Sequence, residues 1–424
     1  MKKFYGIITI AILCLSASFL FTFEVNAQQT GSWPMFHGNP QHTGYTSTNG
    51  PSTNQTLWTY NTNGWVLSSP AVANGVVYFA SSDKGYFGVS NNNLNAVNAT
   101  DGTKLWNFSA GGKIYTSPAV ADGMVYFGSD DHTFYALNAQ TGALVWKCVT
   151  GDEAEGSPTV SNGIVYAGSN DGKLYAFNAT VGMPLWNFTT CGNVVSAPAV
   201  FNGVVYFGSY DHAVYALDAL TGTQIWTYTT SSAVESSPVV ADGNVYIGSY
   251  DNNTYALNAD TGALIWKVIT GYDQCVQASP AFANGLIYTG GAFDHNIYAL
   301  NATTGANEWN YTTSNEITTA PAVAGNTVYV ACSLANKTYA LNANTGAFKW
   351  SFQTSGYVYS SPAIVNGIAY FGSYDGNLYA IGQTTNATTS VGSGALPTYA
   401  YVAIIAVLVI VIAVALYMVR KRRH

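Results

Sequence analysis

Tryptophan recurs at Trp106, Trp146, Trp186, Trp226 and Trp266, forty residues apart each time, and then at Trp309 and Trp350. Proline keeps the same beat at Pro70, Pro118, Pro158, Pro198, Pro238, Pro280, Pro321 and Pro362. A fixed period of this length marks a chain built from one supersecondary unit that buries its apolar face only against its neighbours. One unit runs Ser-Pro-Ala-Val, Asn/Asp-Gly, Val-Tyr-Phe-Gly-Ser, a polar pair with Asp, Tyr-Ala-Leu-Asn-Ala, Thr-Gly, then a run containing Trp. Asn74-Gly75, Asp122-Gly123, Asn162-Gly163, Asn202-Gly203, Asp242-Gly243, Asn284-Gly285 and Asn366-Gly367 are two-residue hairpin signals, because both turn positions need positive φ. Gly325-Asn326 is the variant in the seventh unit. The runs between turns are short and rich in Val, Tyr, Phe and Ile, as strands are. Three turns per unit give four antiparallel strands, so the fold class is all-β: an eight-bladed β-propeller.

The two markers count the closure separately. Pro70 to Pro362 make eight blade starts, and Trp58 to Trp350 make eight blade ends. Trp58 has no start before it and Pro362 has no Trp after it. The segment 56–62 is therefore expected to supply the outer strand of the last blade and close the ring, which removes the exposed end of a solenoid. An open or seven-bladed ring is the alternative. The 48 residues between Trp58 and Trp106 place an insertion near Lys84 to Asn93. The propeller spans residues 56–382, preceded by a lead-in at 28–55.

The ends read differently. Met1-Lys2-Lys3, an apolar run from Phe4 to Phe23 and then Val25-Asn26-Ala27 form a signal peptide over residues 1–27, with an uncleaved anchor as the alternative. Leu13 before Cys14 does not suit lipoprotein cleavage. Thr398 to Val419 carries no charge. As a helix its length is roughly 33 Å, enough to cross a bilayer core. Arg420-Lys421-Arg422-Arg423 follows, so residues 420–424 form a basic tail on the cytoplasmic side. Leu396-Pro397-Thr398-Tyr399 only loosely resembles a sortase signal, and a retained transmembrane helix is the expectation. Residues 383–397, rich in Thr, Ser, Gly and Asn, have the composition of a flexible stalk. The propeller is thus expected on the extracytoplasmic side of a cell membrane, at the cell surface.

Composition agrees with that placement. Residues 28–397 hold eight lysines, no arginine and twenty acidic residues, a net charge near −12. Such a surface repels nucleic acid and offers little to phosphorylated ligands. Ten Asn-x-Ser/Thr sequons, at Asn54, Asn98, Asn107, Asn178, Asn187, Asn252, Asn301, Asn310, Asn336 and Asn386, are candidate sites of a glycoprotein. Cys148, Cys191, Cys275 and Cys332 have no metal-site spacing; inter-blade disulfides and free thiols both remain open.

The unit Tyr-Ala-Leu-Asn-Ala-x-Thr-Gly-x-x-x-Trp, as in Tyr135 to Trp146 and Tyr255 to Trp266, resembles the tryptophan-docking repeat of the PQQ-like (quinoprotein-type) propeller family. Trp33-Pro34-Met35-Phe36 with Thr43-Gly44 resembles the lead-in of the same family, so the likeness covers residues 33–382. It implies that Trp58, Trp106, Trp146, Trp186, Trp226, Trp266, Trp309 and Trp350 each stack on the Ala and Gly positions of a neighbouring blade. It also names a cofactor. Quinoprotein dehydrogenases of this fold bind pyrroloquinoline quinone (PQQ) with Ca²⁺ beside two adjacent cysteines. Here no two cysteines are adjacent, arginine is missing and the repeats are nearly minimal. No cofactor is expected, and a PQQ-dependent alcohol or sugar dehydrogenase with a divergent site is the alternative.

Other chemistry finds little support. His132, His212 and His295 sit at matching turns in three blades, and Asp131, Asp171, Asp211, Asp251, Asp294 and Asp375 at one hairpin in six. Repetition assigns them to the repeat itself, where Asp suits a tight turn, with calcium binding as the lesser reading. No catalytic or metal-binding residue is expected. Function is sought where the repeat stops repeating, in the loop before each Pro. Alternation puts two positions on one side of the entering chain. Five before the Pro are Trp65, Lys113, Glu153, Asn193, Ala233, Cys275, Glu316 and Tyr357; three before are Leu67, Tyr115, Glu155, Val195, Glu235, Gln277, Thr318 and Tyr359. These loops are expected to ring one mouth of the central channel. Aromatics mixed with Glu suit a sugar, a peptide or a cation. The expectation is a non-catalytic scaffold holding a surface protein or glycan, with ordinary solvated loops as the plainer reading.

Overall fold

A computed structural model describes residues 31–82, 92–272, 276–291 and 293–383. The signal peptide, most of the insertion, Cys275, Asn386, all of the stalk beyond Gln383, the apolar segment 398–419 and the basic tail lie outside the described residues. Among the described residues no helix is long and apolar enough to cross a membrane.

Eight antiparallel sheets follow one another along the chain. Blade 3 shows the pattern, with strands Thr159–Ser161, Ile164–Gly168, Lys173–Asn178 and Pro184–Thr189 paired in sequence order. The hairpin between the first two turns on Asn162 and Gly163, at φ 50° and 73°. In blade 7 only the first residue of that turn, Gly325, has positive φ. The first strand of each blade touches the first strands of both neighbours, and Ala71–Ala73 of blade 1 touches Ala363–Val365 of blade 8. The ring is closed, and these short strands line its axis.

Closure runs as the two marker counts require. Thr56–Asn61 pairs antiparallel with Asn377–Gly382 and forms the outermost strand of blade 8, with Trp58 opposite Ala380. A register shift adjoins every docking tryptophan, as between Ala176 and Phe177 beside Trp186. It turns the indole towards the next blade while the rest of the strand stays largely exposed.

The core lies between blades. Tyr206 and Trp226 of blade 4 pack with Val240, Val245 and Leu257 of blade 5 in one cluster. The indole N–H groups of Trp58, Trp106, Trp146, Trp186, Trp226, Trp266 and Trp309 donate to the carbonyls of Ala99, Ala139, Ala179, Ala219, Ala259, Ala302 and Ala343 on the following blade, at 2.8–3.1 Å. The same indoles cover glycine; a Cβ at Gly182 would stand 2.5 Å from the Trp146 ring. A second clamp uses the repeated aspartates. Asp171 accepts the hydroxyl of Tyr175 and the backbone N–H of Gly151 from the preceding blade. Tyr135–Asp131, Tyr215–Asp211, Tyr255–Asp251, Tyr298–Asp294 and Tyr379–Asp375 repeat the phenol contact. These aspartates serve the repeat, and they join blades as well as closing turns. His132, His212 and His295 occupy left-handed turn positions at φ 63°, 74° and 58°.

Candidate functional site

The inner edges of the blades set the site. A first strand pairs on one side only, which leaves its outward N–H and C=O groups facing the axis. The lead-in satisfies them. Val72 exchanges both backbone bonds with Trp33, at 2.7 Å each. Val120, Val200, Val240, Phe282 and Val323 donate to the carbonyls of Pro34, Pro40, Gln41, Thr43 and Gly44, at 2.7–3.0 Å. Tyr45–Thr46 then adds a short parallel strand to blade 7. One segment therefore winds past the inner edges of six blades and occupies the channel at the hairpin end. His37 and His42 are buried within it. His37 Nδ1 lies 3.0 Å from the His42 carbonyl and His42 Nε2 lies 2.9 Å from Thr159 Oγ1. Burial holds His37 at about 4 and His42 at about 3, so both are neutral near pH 7.

At the opposite end the channel opens as a cup of about 300 Å³, lined by Tyr115, Glu155, Val195, Glu235 and Gln277 together with Phe36, Ser157, Ala197, Tyr210, Ser237 and Ser279. The first five are the residues three before the Pro in blades 2 to 6. The intervening residues, Val66, Ile114, Ala154, Val194, Val234, Val276, Ile317 and Val358, are fully buried. Phe36 reaches the cup from the lead-in and stacks on His37, with centroids 4.5 Å apart. Below the rim, six of the eight residues before the Pro donate their N–H to a serine hydroxyl one blade on, as Ser117 does to Ser157 and Ser237 to Ser279. Ala197 and Ala320 supply no hydroxyl to that ring.

Two sectors differ in chemistry. In blades 8 and 1, Trp65 stacks on Tyr374 with centroids 4.9 Å apart, and Tyr357 and Tyr359 lie 5.9 and 5.1 Å from Tyr374. Lys113 holds its ammonium 5.9 Å from the centre of the Tyr115 ring. In blades 2 to 6 carboxylates gather. The Asn170 amide donates to Glu153 at 3.1 Å and to Glu155 at 2.8 Å. Tyr210 donates to Glu235 Oε2 at 2.6 Å, Tyr250 donates to the same oxygen, and Gln277 donates to the Tyr250 hydroxyl at 2.7 Å. Burial, with Glu155 and Glu153 nearby, pushes Asp130 up to about 7 against the pull of Lys113. Burial also raises Glu155, to which Glu153 and Glu235 add and which the Asn170 amide opposes. Glu316 faces the aromatic sector, where its charge adds to the burial that raises Tyr359.

Asp130, Asn170, Tyr210, Tyr250 and Tyr374 all stand directly before the repeated Asp, in a hairpin that reads as pure repeat. Their signal is variation at that one position from blade to blade, next to a residue that does not vary. Among the described residues Cys148, Cys191 and Cys332 are free thiols, and no group of three or more His, Cys, Asp and Glu has metal-binding geometry. The sequons differ in setting: Asn107, Asn187 and Asn310 are exposed on outermost strands, whereas Asn98, Asn178 and Asn301 accept hydrogen bonds from their own turns. Asn54 donates to the Ser351 carbonyl, and Asn252 and Asn336 lie at left-handed turn positions.

Indoles docked between blades, a ring closed by its first strand and a threaded lead-in define a PQQ-type β-propeller. The chain belongs to the family described as outer membrane protein assembly factor BamB, whose model matches residues 90–197, 192–320 and 270–388. No curated protein matches its sequence significantly. Among solved structures it is similar to BamB from Moraxella catarrhalis, at 18% identity and TM-score 0.66 over 78% of this chain and 100% of that one. A europium-containing methanol dehydrogenase gives 13% and 0.71, over 85% and 99% of the two chains. Quinohemoprotein alcohol dehydrogenase from Comamonas testosteroni gives 16% and 0.70, over 85% and 82%. At these identities the likeness is one of fold.

Proposed function

We propose that the protein is a membrane-anchored, extracytoplasmic scaffold that holds a protein or glycan partner on its loop face and carries out no chemistry of its own. The observation that carries this reading is the cup: the residues that break the repeat converge on one mouth of the channel. Concave sites with a few fixed polar groups among aromatic walls are where propellers and other folds take ligands. The matched family is named for an assembly factor, which supports a protein-holding role. The apolar segment 398–419 with its basic tail supports an anchor, and residues 1–27 support export.

The fold neighbours make PQQ with Ca²⁺ the cofactor to weigh. A tricarboxylate quinone in the cup would face Glu155 and Glu235, with Phe36 beneath it. Glu155 is already raised by burial and by its acidic neighbours, so further negative charge there is unfavourable. The residues present do not fit that group, and no reaction step is derived through it.

The test uses full-length protein purified in detergent from its native envelope. A stoichiometric surface partner is expected with the native chain and lost with Tyr359→Ala at an unchanged thermal midpoint. Stoichiometric uptake of PQQ with Ca²⁺ and alcohol- or sugar-dependent dye reduction would overturn the reading.

A further inference from the structure

The cup's hydrogen-bonding groups are sorted in a way that names its ligand. Glu235 uses Oε2 for the phenols of Tyr210 and Tyr250, and Glu155 uses Oε2 for the Asn170 amide. The other oxygen of each carboxylate takes no hydrogen bond from the described residues. Both phenol protons are committed to Glu235, and the Tyr250 hydroxyl in turn accepts from the Gln277 amide. The cup therefore presents two carboxylates, with the hydroxyls of Ser157, Ser237 and Ser279 and the Gln277 amide beside them. Three aromatic side chains, Tyr115, Tyr210 and Phe36, line it as well, and aromatic rings attract cations through their quadrupoles. Two carboxylates facing one cavity favour a cation over a neutral ligand, and an ammonium brings three donors with its charge. At about 300 Å³ the cavity stands at the small end of ligand sites, the size for one side chain and not for a large molecule.

We propose that the cup binds the side-chain ammonium of a lysine presented by a protein partner, with Glu155 and Glu235 as its two counter-charges and the tyrosines as its cage. This deepens, and rests on, the reading of the loop face as a docking surface. The carboxylates come from blades 3 and 5 and line one cavity with Val195, near enough that the charge of Glu235 adds to the raising of Glu155. They are held apart by separate hydrogen-bond partners, and the cost of orienting them is met before the ligand arrives. Lys113 over Tyr115 shows the same contact within the chain, at the rim, where it answers Asp130.

The probe is a fluorescein-labelled Ala-Gly-Lys-Gly-Ala peptide, titrated by anisotropy into the full-length protein in detergent. Saturable binding is expected; acetylation of the lysine should abolish it, and Glu235→Gln and Glu155→Gln should each weaken it by about tenfold or more. Asp260→Asn, the same change of charge on a remote exposed hairpin, should alter it less than about twofold. Tyr250→Phe provides a second route to a misplaced Glu235 if a glutamine variant loses its thermal midpoint. Equal binding of the acetylated peptide, or equal weakening by Asp260→Asn, overturns the proposal. So does Ca²⁺ binding that Glu235→Gln removes while the lysine peptide fails to bind. Loss of peptide binding with the native partner still captured in a Tyr359-dependent way sinks the lysine assignment alone. Partner capture indifferent to every cup variant sinks the docking face itself.

Discussion

The indole N–H of Trp146 reaches the carbonyl oxygen of Ala179, one blade on, at 2.8 Å, and the hydroxyl of Tyr126 reaches the same oxygen at 3.2 Å. Trp350 lacks this arrangement: its buried Nε1 has no acceptor among the described residues. Blade 8 has Gly382-Gln383 where the other blades have Asn-Ala or, in blade 4, Asp-Ala, and Tyr329 of blade 7 donates instead to Pro51 of the lead-in. Trp146→Phe therefore loses a hydrogen bond that Trp350→Phe does not. Denaturant titration should show Trp146→Phe the more costly, by about 1 kcal/mol. Equal cost would mean that indole packing, not the hydrogen bond, holds the blades together.

Gly168 ends the second strand of blade 3, and a Cβ there would stand 2.1 Å from the carbonyl oxygen of Val194. Backbone must move to admit it. Gly163, in the hairpin of the same blade, has φ 73° and open space around it. Gly168→Ala should cost about 3 kcal/mol or more, and Gly163→Ala about 1–2 kcal/mol from left-handed strain alone. Midpoints of chemical unfolding for the two variants check the order.

His37 and His42 are held near 4 and 3 in the fold, against 6.5 for an ordinary histidine. Below pH 6.5 the unfolded chain takes up protons that the folded chain refuses. Their contribution to stability is full above pH 6.5 and is lost progressively as pH falls towards 4. Two groups give at most about 2.7 kcal/mol per pH unit. Unfolding midpoints at pH 6.5 and 4.5 should show this loss. A His37→Phe/His42→Asn variant whose stability no longer falls between pH 6.5 and 4.5 would assign the loss to this pair.

Asp130 acts in the opposite sense. Its folded value of about 7 lies above the ordinary 3.8, so the fold binds its proton more tightly than the unfolded chain does. The stability this gives is present at low pH and lost as pH rises through 7. Asp130→Asn should stabilise the protein at pH 8 and leave it nearly unchanged at pH 3.5. Between pH 4.5 and 6.5 the variant should also depend on pH more steeply than the native chain, because an opposing slope has been removed. Matched denaturation series at these pH values decide it.

Periodicity alone determined the blade, the number of blades and the closing strand. A repeat whose unit buries nothing by itself must bury its Trp, Tyr and Ala against the next copy, and unpaired markers at the two ends leave one way to close. The same periodicity assigned the repeated Asp to structure, although its reach to Gly151 and its equivalents on the preceding blade was not visible along the chain. Alternation also found Tyr115, Glu155, Glu235 and Gln277, because the residues between them must be small and apolar to pass beneath the neighbouring glycines. Tyr210, Tyr250 and Phe36 were illegible for a different reason. Tyr210 and Tyr250 look like turn residues and Phe36 like part of the lead-in; only the ring, which brings blades 3 to 6 and residue 36 to one axis, makes Tyr210 and Phe36 lining of the cup and Tyr250 a partner of Glu235. Hydrogen bonding across blades sets which carboxylate oxygens are used and which remain for a ligand. That is a matter of distance between segments far apart in sequence, and it was decided by the tertiary structure.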